Sequence, residues 1–341
     1  MSIRLIWRAG LAIVVGVALG YAALSFINAD EGSSPASNSS RADDHFAPRL
    51  TLIRQARTGL LISLQIGPFE VGQNDFRVAL LDPLGRPQKL DSAHLRLSRL
   101  ESPDLVSETD VKGLAKSQHG SFQLAEPGWW QVDVTANSDS TATFYVKLDQ
   151  PSSAPSAFQP PDYAADPTAQ AIFQAALARY QALKGLRWRE ELTSGDRGPS
   201  GYGVWFITNI SANRQGLHAT TLNPEQGSSE LYSGETRQCV RQGRDAWLCS
   251  EGPAPIGAFD LSYLRNATGF RQGRMEVIDG ELTQVIFFYN ASQSAWYAWW
   301  VGEETHYVRR QAMVANGHFM LDHFSGHDAA VSIQPGDLPS Q

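Results

Sequence analysis

The sequence predicts a mainly β chain. An immunoglobulin-like β-sandwich is followed by an antiparallel sheet with one α-helix packed on it, and both stand behind an N-terminal transmembrane helix. Three observations lead there. Short segments of alternating apolar and polar residues recur between Gly, Pro, Asn and Asp turns, one apolar stripe with helical spacing opens the second half, and an uncharged run opens the chain. The chain has 341 residues, 42% hydrophobic and 18% charged, which is enough for two ordinary domains and excludes both a disulfide-stapled miniprotein and a largely disordered chain. A net charge of -7 speaks against nucleic acid as a partner, because phosphate binding needs clustered Lys and Arg.

Residues 1–29 are read as a membrane anchor or signal. Arg4 and Arg8 precede an uncharged run from Ala9 to Ile27, long enough as a helix to cross about 30 Å of hydrocarbon. Arginines before the run and Asp30-Glu31 after it orient the bulk of the chain outside the cytoplasm. Ile27-Asn28-Ala29 is a poor cleavage site, which favours a retained single-pass anchor in the inner or cytoplasmic membrane over a cleaved signal peptide. Residues 30–47 and 150–166, rich in Ser, Ala, Gly and Pro, are linkers. They delimit module one, 48–149, and module two, 167–337, and the second linker is expected to hold the modules apart.

Module one is written in strands. Gly59 to Ile66, Asp75 to Leu81, His94 to Leu100, Ser121 to Leu124, Trp129 to Ala136 and Thr141 to Leu148 alternate or carry β-branched and aromatic residues. Asp82-Pro83-Leu84-Gly85 and Glu126-Pro127-Gly128 supply turns between them. This punctuation over about a hundred residues suits an immunoglobulin-like sandwich. The order Pro68, Gly72, Asn74, Phe76, Val78, Asp82, Gly85, Pro87, then Gly120-Ser121-Phe122 and Gly128-Trp129-Trp130, resembles the FixH/YtkA-like domains found beside copper-handling membrane proteins. His45, His94 and His119, without any Met, make a poor copper set here.

Module two opens with its clearest helix. Asp166 is placed to cap it and Pro167 suits its first position. Ile172, Phe173, Ala176, Leu177, Tyr180 and Leu183 form its apolar stripe, and Gly185 is expected to end it. Strands follow at Leu186 to Leu192, Tyr202 to Ile210, Gly216 to Thr221, Arg274 to Val277, Leu282 to Tyr289 and Ala295 to Val301, with a long final pair; Asp279-Gly280 and Asn316-Gly317 are hairpin signals. Cys239 and Cys249 share one hairpin and, outside the cytoplasm, are expected to form a disulfide. A turn at Gln242-Gly243 would leave them near each other but not opposite without a bulge.

Aromatic rings concentrate at Phe287-Phe288-Tyr289, Trp296-Tyr297 and Trp299-Trp300. They either fill the core or line an apolar pocket. Because Trp299 and Trp300 point to opposite faces of a strand, one helix should not bury both, so Phe287, Tyr289, Trp296, Trp299 and Trp300 are the pocket candidates. Trp296-Tyr297, Trp299-Trp300-Val301, Thr305, Arg309, Met313, Gly317-His318-Phe319-Met320 and Pro335, with the opening helix and Asp279-Gly280, resemble the LolA/LppX-like lipoprotein and lipid carriers. That resemblance implies a strongly curved, incompletely closed antiparallel sheet (a half-barrel) taking acyl chains beside its helix.

Met313, His318 and Met320 would share one side of the final hairpin, a soft set suited to Cu(I), with packing against tryptophan as the plainer reading. His306 would face His327 in the same register. No nucleophile elbow, metalloprotease helix or phosphate loop is present, and Glu190-Glu191 and Glu303-Glu304 point to opposite faces of a strand, so no enzyme activity and no cofactor are expected. The expected function is a membrane-anchored extracytoplasmic protein holding an apolar or lipid-like ligand. The alternative is a non-catalytic accessory or metal-handling protein presenting surfaces to a membrane-protein partner.

Overall fold

The computed structural model of the chain describes residues 50–102, 106–115, 117–148, 161, 163–194, 204–223, 227–252, 259–315 and 318–336. The anchor, the first linker, most of the second and the Asn316-Gly317 turn lie outside the described residues. Among the described residues no helix is long and apolar enough to cross a membrane.

Module one is a two-sheet antiparallel sandwich. Strands β1 (Leu50–Gln55), β2 (Leu61–Gly67), β3 (Gly72–Leu81) and β6 (Ser117–Leu124) form one sheet in the order β1-β2-β3-β6. Strands β5 (Val106–Ala115), β4 (Leu90–Arg99), β7 (Gly128–Ala136) and β8 (Ser140–Leu148) form the other in that order. The chain crosses between sheets after β3, β5 and β6, so the inward side chains of both sheets share one core. The Asp82 turn forms as its residues dictate: Gly85 N–H donates to Asp82 O at 2.9 Å, and Gly85 takes φ +76°.

Module two begins with helix α1 (Pro167–Ala182), whose Asp166 cap accepts from Thr168 N–H at 2.8 Å. The helix stops before Gly185, and its C-cap is Leu183 in an extended conformation. Gly185 opens the next strand, and glycine is needed there because a Cβ would stand 2.3 Å from the Ala329 carbonyl oxygen. Eleven strands then form one open antiparallel sheet, β14-β13-β12-β11-β10-β9-β19-β18-β17-β16-β15. Their ranges are β9 (Gly185–Ser194), β10 (Val204–Asn213), β11 (Gly216–Asn223), β12 (Gly227–Gly234), β13 (Arg237–Gln242), β14 (Leu248–Glu251), β15 (Ala267–Ile278), β16 (Glu281–Asn290), β17 (Ala295–Gly302), β18 (Val308–Ala315) and β19 (His318–Ser325). Asp279 and Gly280 join β15 to β16 with both φ positive, as a type I′ turn requires.

A sheet of this many strands curls. The curl wraps the helix. Phe173 touches Phe270 on β15, Phe288 on β16 and Trp299 on β17, while Tyr180, two turns on, meets Phe324 on β19 edge-on at 6.1 Å. The helix side is hereafter the inner face.

Much of the outer face, from β10 through β19 to β16, is not solvated, because module one lies on it. Phe287, Tyr289, Trp296, Trp300, Val314 and Phe319 join the sandwich's own core in one apolar cluster. Trp129 stacks on Phe287 at 5.8 Å, Tyr145 lies 4.7 Å from Trp300, and Lys147 sits over Trp296 at 4.3 Å. Polar contacts fix the register: Ile53 N–H donates to Thr193 Oγ1 at 2.9 Å, Gln55 N–H to Glu191 Oε2 at 2.9 Å, and Arg274 reaches Gln131 Oε1 at 2.7 Å. The expectation that the linker holds the modules apart is therefore overturned. The same contact explains why adjacent tryptophans can both be buried, since each face of β17 has its own cover. Gly273 belongs to this interface, where a Cβ would fall 2.7 Å from the Phe287 ring and 3.1 Å from the Leu100 carbonyl oxygen.

Cys239 and Cys249 form a disulfide and are directly opposite in the β13–β14 register. No bulge is needed. The strands close on a loop longer than a two-residue turn, which shifts the pairing from the register the Gln242-Gly243 turn would impose.

Candidate functional site on the inner face of module two

Strand alternation sorts the five pocket candidates. Phe287, Tyr289, Trp296 and Trp300 face module one, where they are buried; Trp299 alone faces the helix. Met313 and Met320 are opposite each other on β18 and β19, and His318 is opposite Ala315, so all three lie on the inner side. His318 Nδ1 is hydrogen-bonded to Ser194 Oγ at 2.9 Å, and burial lowers its pKa. Among the described residues no three His, Cys, Asp or Glu side chains converge as a metal-ligand group. The His306–His327 pairing does not form: His306 sits in the loop before β18 at φ +55°, and Tyr307 stacks on His327 at 4.3 Å.

The inner face is apolar on either side of one polar row. One flank is Trp188, Ile210 and Phe324, buried under the helix end. The other is Met320, Leu192 and Phe206, aligned across β19, β9 and β10, with Met313 beside Met320. Leu192, Phe206 and Met313 are only half-buried, so this flank keeps apolar surface that the helix, seated over β15 and β16, does not cover.

Between the flanks runs a row that composition and spacing did not announce. Thr221, Thr208, Glu190, Asp322, Gln311 and Trp299 are successive cross-strand partners on β11, β10, β9, β19, β18 and β17. All six are buried. Trp299 Nε1–H donates to Gln311 Oε1 at 2.5 Å, Gln311 Nε2–H donates to Asp322 Oδ2 at 2.8 Å, and the Thr208 and Thr221 hydroxyls bond at 3.1 Å. In the middle the chain of bonds breaks: Glu190 Oε2 and Asp322 Oδ1 are buried and have no partner among the described residues. Directly opposite residues hold their Cβ atoms about 5 Å apart, so the two carboxyls are close neighbours.

Burial raises the pKa of both. Desolvation is the larger cause for Glu190, with Asp322's charge adding to it; for Asp322 desolvation outweighs the Gln311 hydrogen bond and the charge of Arg54, which lies on the outer face. Tyr180, Tyr263 and Tyr297 feel Asp322's charge, which places them around the same interior. The folded chain thus keeps protons that the unfolded chain has released above about pH 4, so this pair's contribution to stability falls as pH rises from there through the raised pKa values. His323, on the outer face beside Arg310 and Arg54, has its pKa pushed down to about 3 by burial and works in the opposite sense, losing stability as pH falls below its unfolded value. Comparing wild type with Glu190→Gln/Asp322→Asn cancels His323. The variant's stability relative to wild type is expected to increase with pH between about 5 and 8, by up to roughly 1.4 kcal/mol per pH unit for each proton the wild-type pair still holds. Urea midpoints across that range measure it, and a pH-independent difference would refute the coupling.

No family model matches this chain, and no curated protein matches it. Among solved structures it is similar to the lipoprotein LppX of Mycobacterium tuberculosis, at 19% identity and a TM-score of 0.39, over 50% of this chain and 100% of that one. It is similar to LprF of Mycobacterium bovis at 13% identity and a TM-score of 0.40, over 51% of this chain and 99% of that one. A LolA-superfamily protein of Nitrosomonas europaea is similar at 11% identity and a TM-score of 0.23, over 50% of this chain and 94% of that one.

Proposed function

We propose that the chain is a membrane-anchored, extracytoplasmic binding protein that holds an apolar or lipid-like ligand against the inner face of module two. The observation that carries this is the flank of Leu192, Phe206, Met313 and Met320, apolar and incompletely covered on the inside of a curled sheet. Module one, an immunoglobulin-like sandwich in this reading, backs the sheet wall. The uncharged run Ala9 to Ile27 supports the anchor, and the Cys239–Cys249 disulfide supports an oxidising compartment. A fluorescent acyl probe is expected to bind the whole chain. Leu192→Asp, half-buried and able to hydrate, should weaken that binding by about tenfold or more while the chain stays folded. Probe binding unchanged in this variant would move the ligand elsewhere or remove it.

A further inference from the structure

The unfinished centre of the inner polar row is the feature that an acyl-binding wall does not need. Burying a carboxyl oxygen without a partner costs free energy, and a purely apolar cargo would be served by Leu or Val at both positions. Here two neighbouring carboxyls each present one unpaired oxygen, Glu190 Oε2 and Asp322 Oδ1, on the helix side. The other oxygen of Asp322 is held along the row: Gln311 donates to Asp322 Oδ2, and Trp299 in turn donates to Gln311. Gln311 is thereby oriented as a donor to Asp322 and cannot be turned to accept. Among the described residues neither carboxyl forms an ion pair, and Arg54, whose charge acts on Asp322, lies beyond the sheet, where it donates to the Ile53 and Glu191 carbonyl oxygens. The missing group is a hydrogen-bond donor entering from the inner side. It would come next to the half-buried apolar flank, since Met320 and Leu192 lie two residues along the strands from Asp322 and Glu190 on the same face.

We propose that Glu190 and Asp322 are the head-group site of the ligand, and that this head carries hydroxyl or ammonium donors rather than a carboxylate or phosphate. The inference rests on the proposed carrier function and specifies its ligand. Two carboxyls held side by side, each with an unpartnered oxygen, have acceptors to offer a donor and disfavour a third acidic group between them. The apolar tail then lies along Leu192, Phe206, Met313 and Met320.

Competition against the fluorescent acyl probe on the delipidated full chain tests this with four competitors: monopalmitoylglycerol, hexadecylamine, palmitate and hexadecane. Monopalmitoylglycerol and hexadecylamine are expected to compete at least about tenfold better than palmitate, the difference that one or two charge-assisted hydrogen bonds make. In Glu190→Gln/Asp322→Asn that preference should disappear, because the amides offer donors as well as acceptors. Equal competition by all four, in wild type and variant alike, overturns the head-group assignment and leaves the carrier function standing. Failure of every competitor and of the probe itself overturns both. If the variant does not fold, the wild-type ranking decides: palmitate competing as well as the two donor-bearing amphiphiles refutes the assignment.

Discussion

Trp300→Ala is expected to cost about 3–5 kcal/mol and to separate the unfolding of the two modules. The ring is fully buried at the interface, 4.7 Å from Tyr145, with Arg310 over it at 5.4 Å and Nε1–H donating to Glu276 Oε2 at 2.8 Å. Arg310 also bonds the Tyr145 hydroxyl, so truncation leaves a void and loosens a bridge between modules. Trp299→Ala removes as large a side chain one residue away, but its neighbours are Phe173 and Phe288, both in module two. Its loss should therefore lower the stability of module two without uncoupling it from module one. Denaturation followed by Trp fluorescence and by far-UV circular dichroism distinguishes the two. Coincident transitions in Trp300→Ala, with a loss under about 1 kcal/mol, would show the interface to be incidental.

Removing module one altogether should have the larger effect. A fragment beginning at residue 161 would expose Phe287, Tyr289, Trp296, Trp300, Val314 and Phe319 together, a contiguous apolar face of the kind that monomeric proteins rarely display. Such a fragment is expected to aggregate, or to bind a hydrophobic dye until module one is supplied in trans. A monomeric fragment whose dye binding ignores module one would sink this prediction. The practical corollary is that acyl binding by isolated module two would report the outer face as well as the inner one.

Much of the fold was legible because local rules decided it. Asp166 and Pro167 start the helix, Asp279-Gly280 makes its turn, and alternation assigns Trp299 and Trp300 to opposite faces. Strands β1, β5 and β12 are not marked by the sequence pattern. β5 sits at a sheet edge, and Gly227–Gly234 is too polar to show an apolar period. The helix end was misplaced because Gly185 serves a close approach to Ala329, a tertiary need that sequence spacing does not show. The site was less legible still. The sequence neighbour of Glu190 is Glu191, which points to module one and accepts from Gln55 N–H, whereas its cross-strand partner Asp322 is 132 positions away (322 − 190) and reaches it only through the β9–β19 register. No local pattern carries that information. The docking of module one was hidden for the same reason, and four of the five pocket candidates were drawn from its footprint.

An open sheet has two margins, and the chain treats them differently. At β15 its own residues occupy the margin: Asp166 N–H bonds Phe270 O at 2.8 Å, the Tyr163 hydroxyl bonds Gly269 O at 3.2 Å, and Arg274 N–H bonds Leu100 O at 2.9 Å. The other margin is β14, four residues long and tied back by Cys249 to Cys239. A partner that recognises proteins by extending this eleven-stranded sheet has its template, among the described residues, at β14, and there the covalent tie limits how far the strand can peel away or lengthen. The disulfide thus acts as a guard against unwanted strand pairing. Reduction would matter first as a change in how copies of the chain associate with one another, and only second as a loss of fold stability.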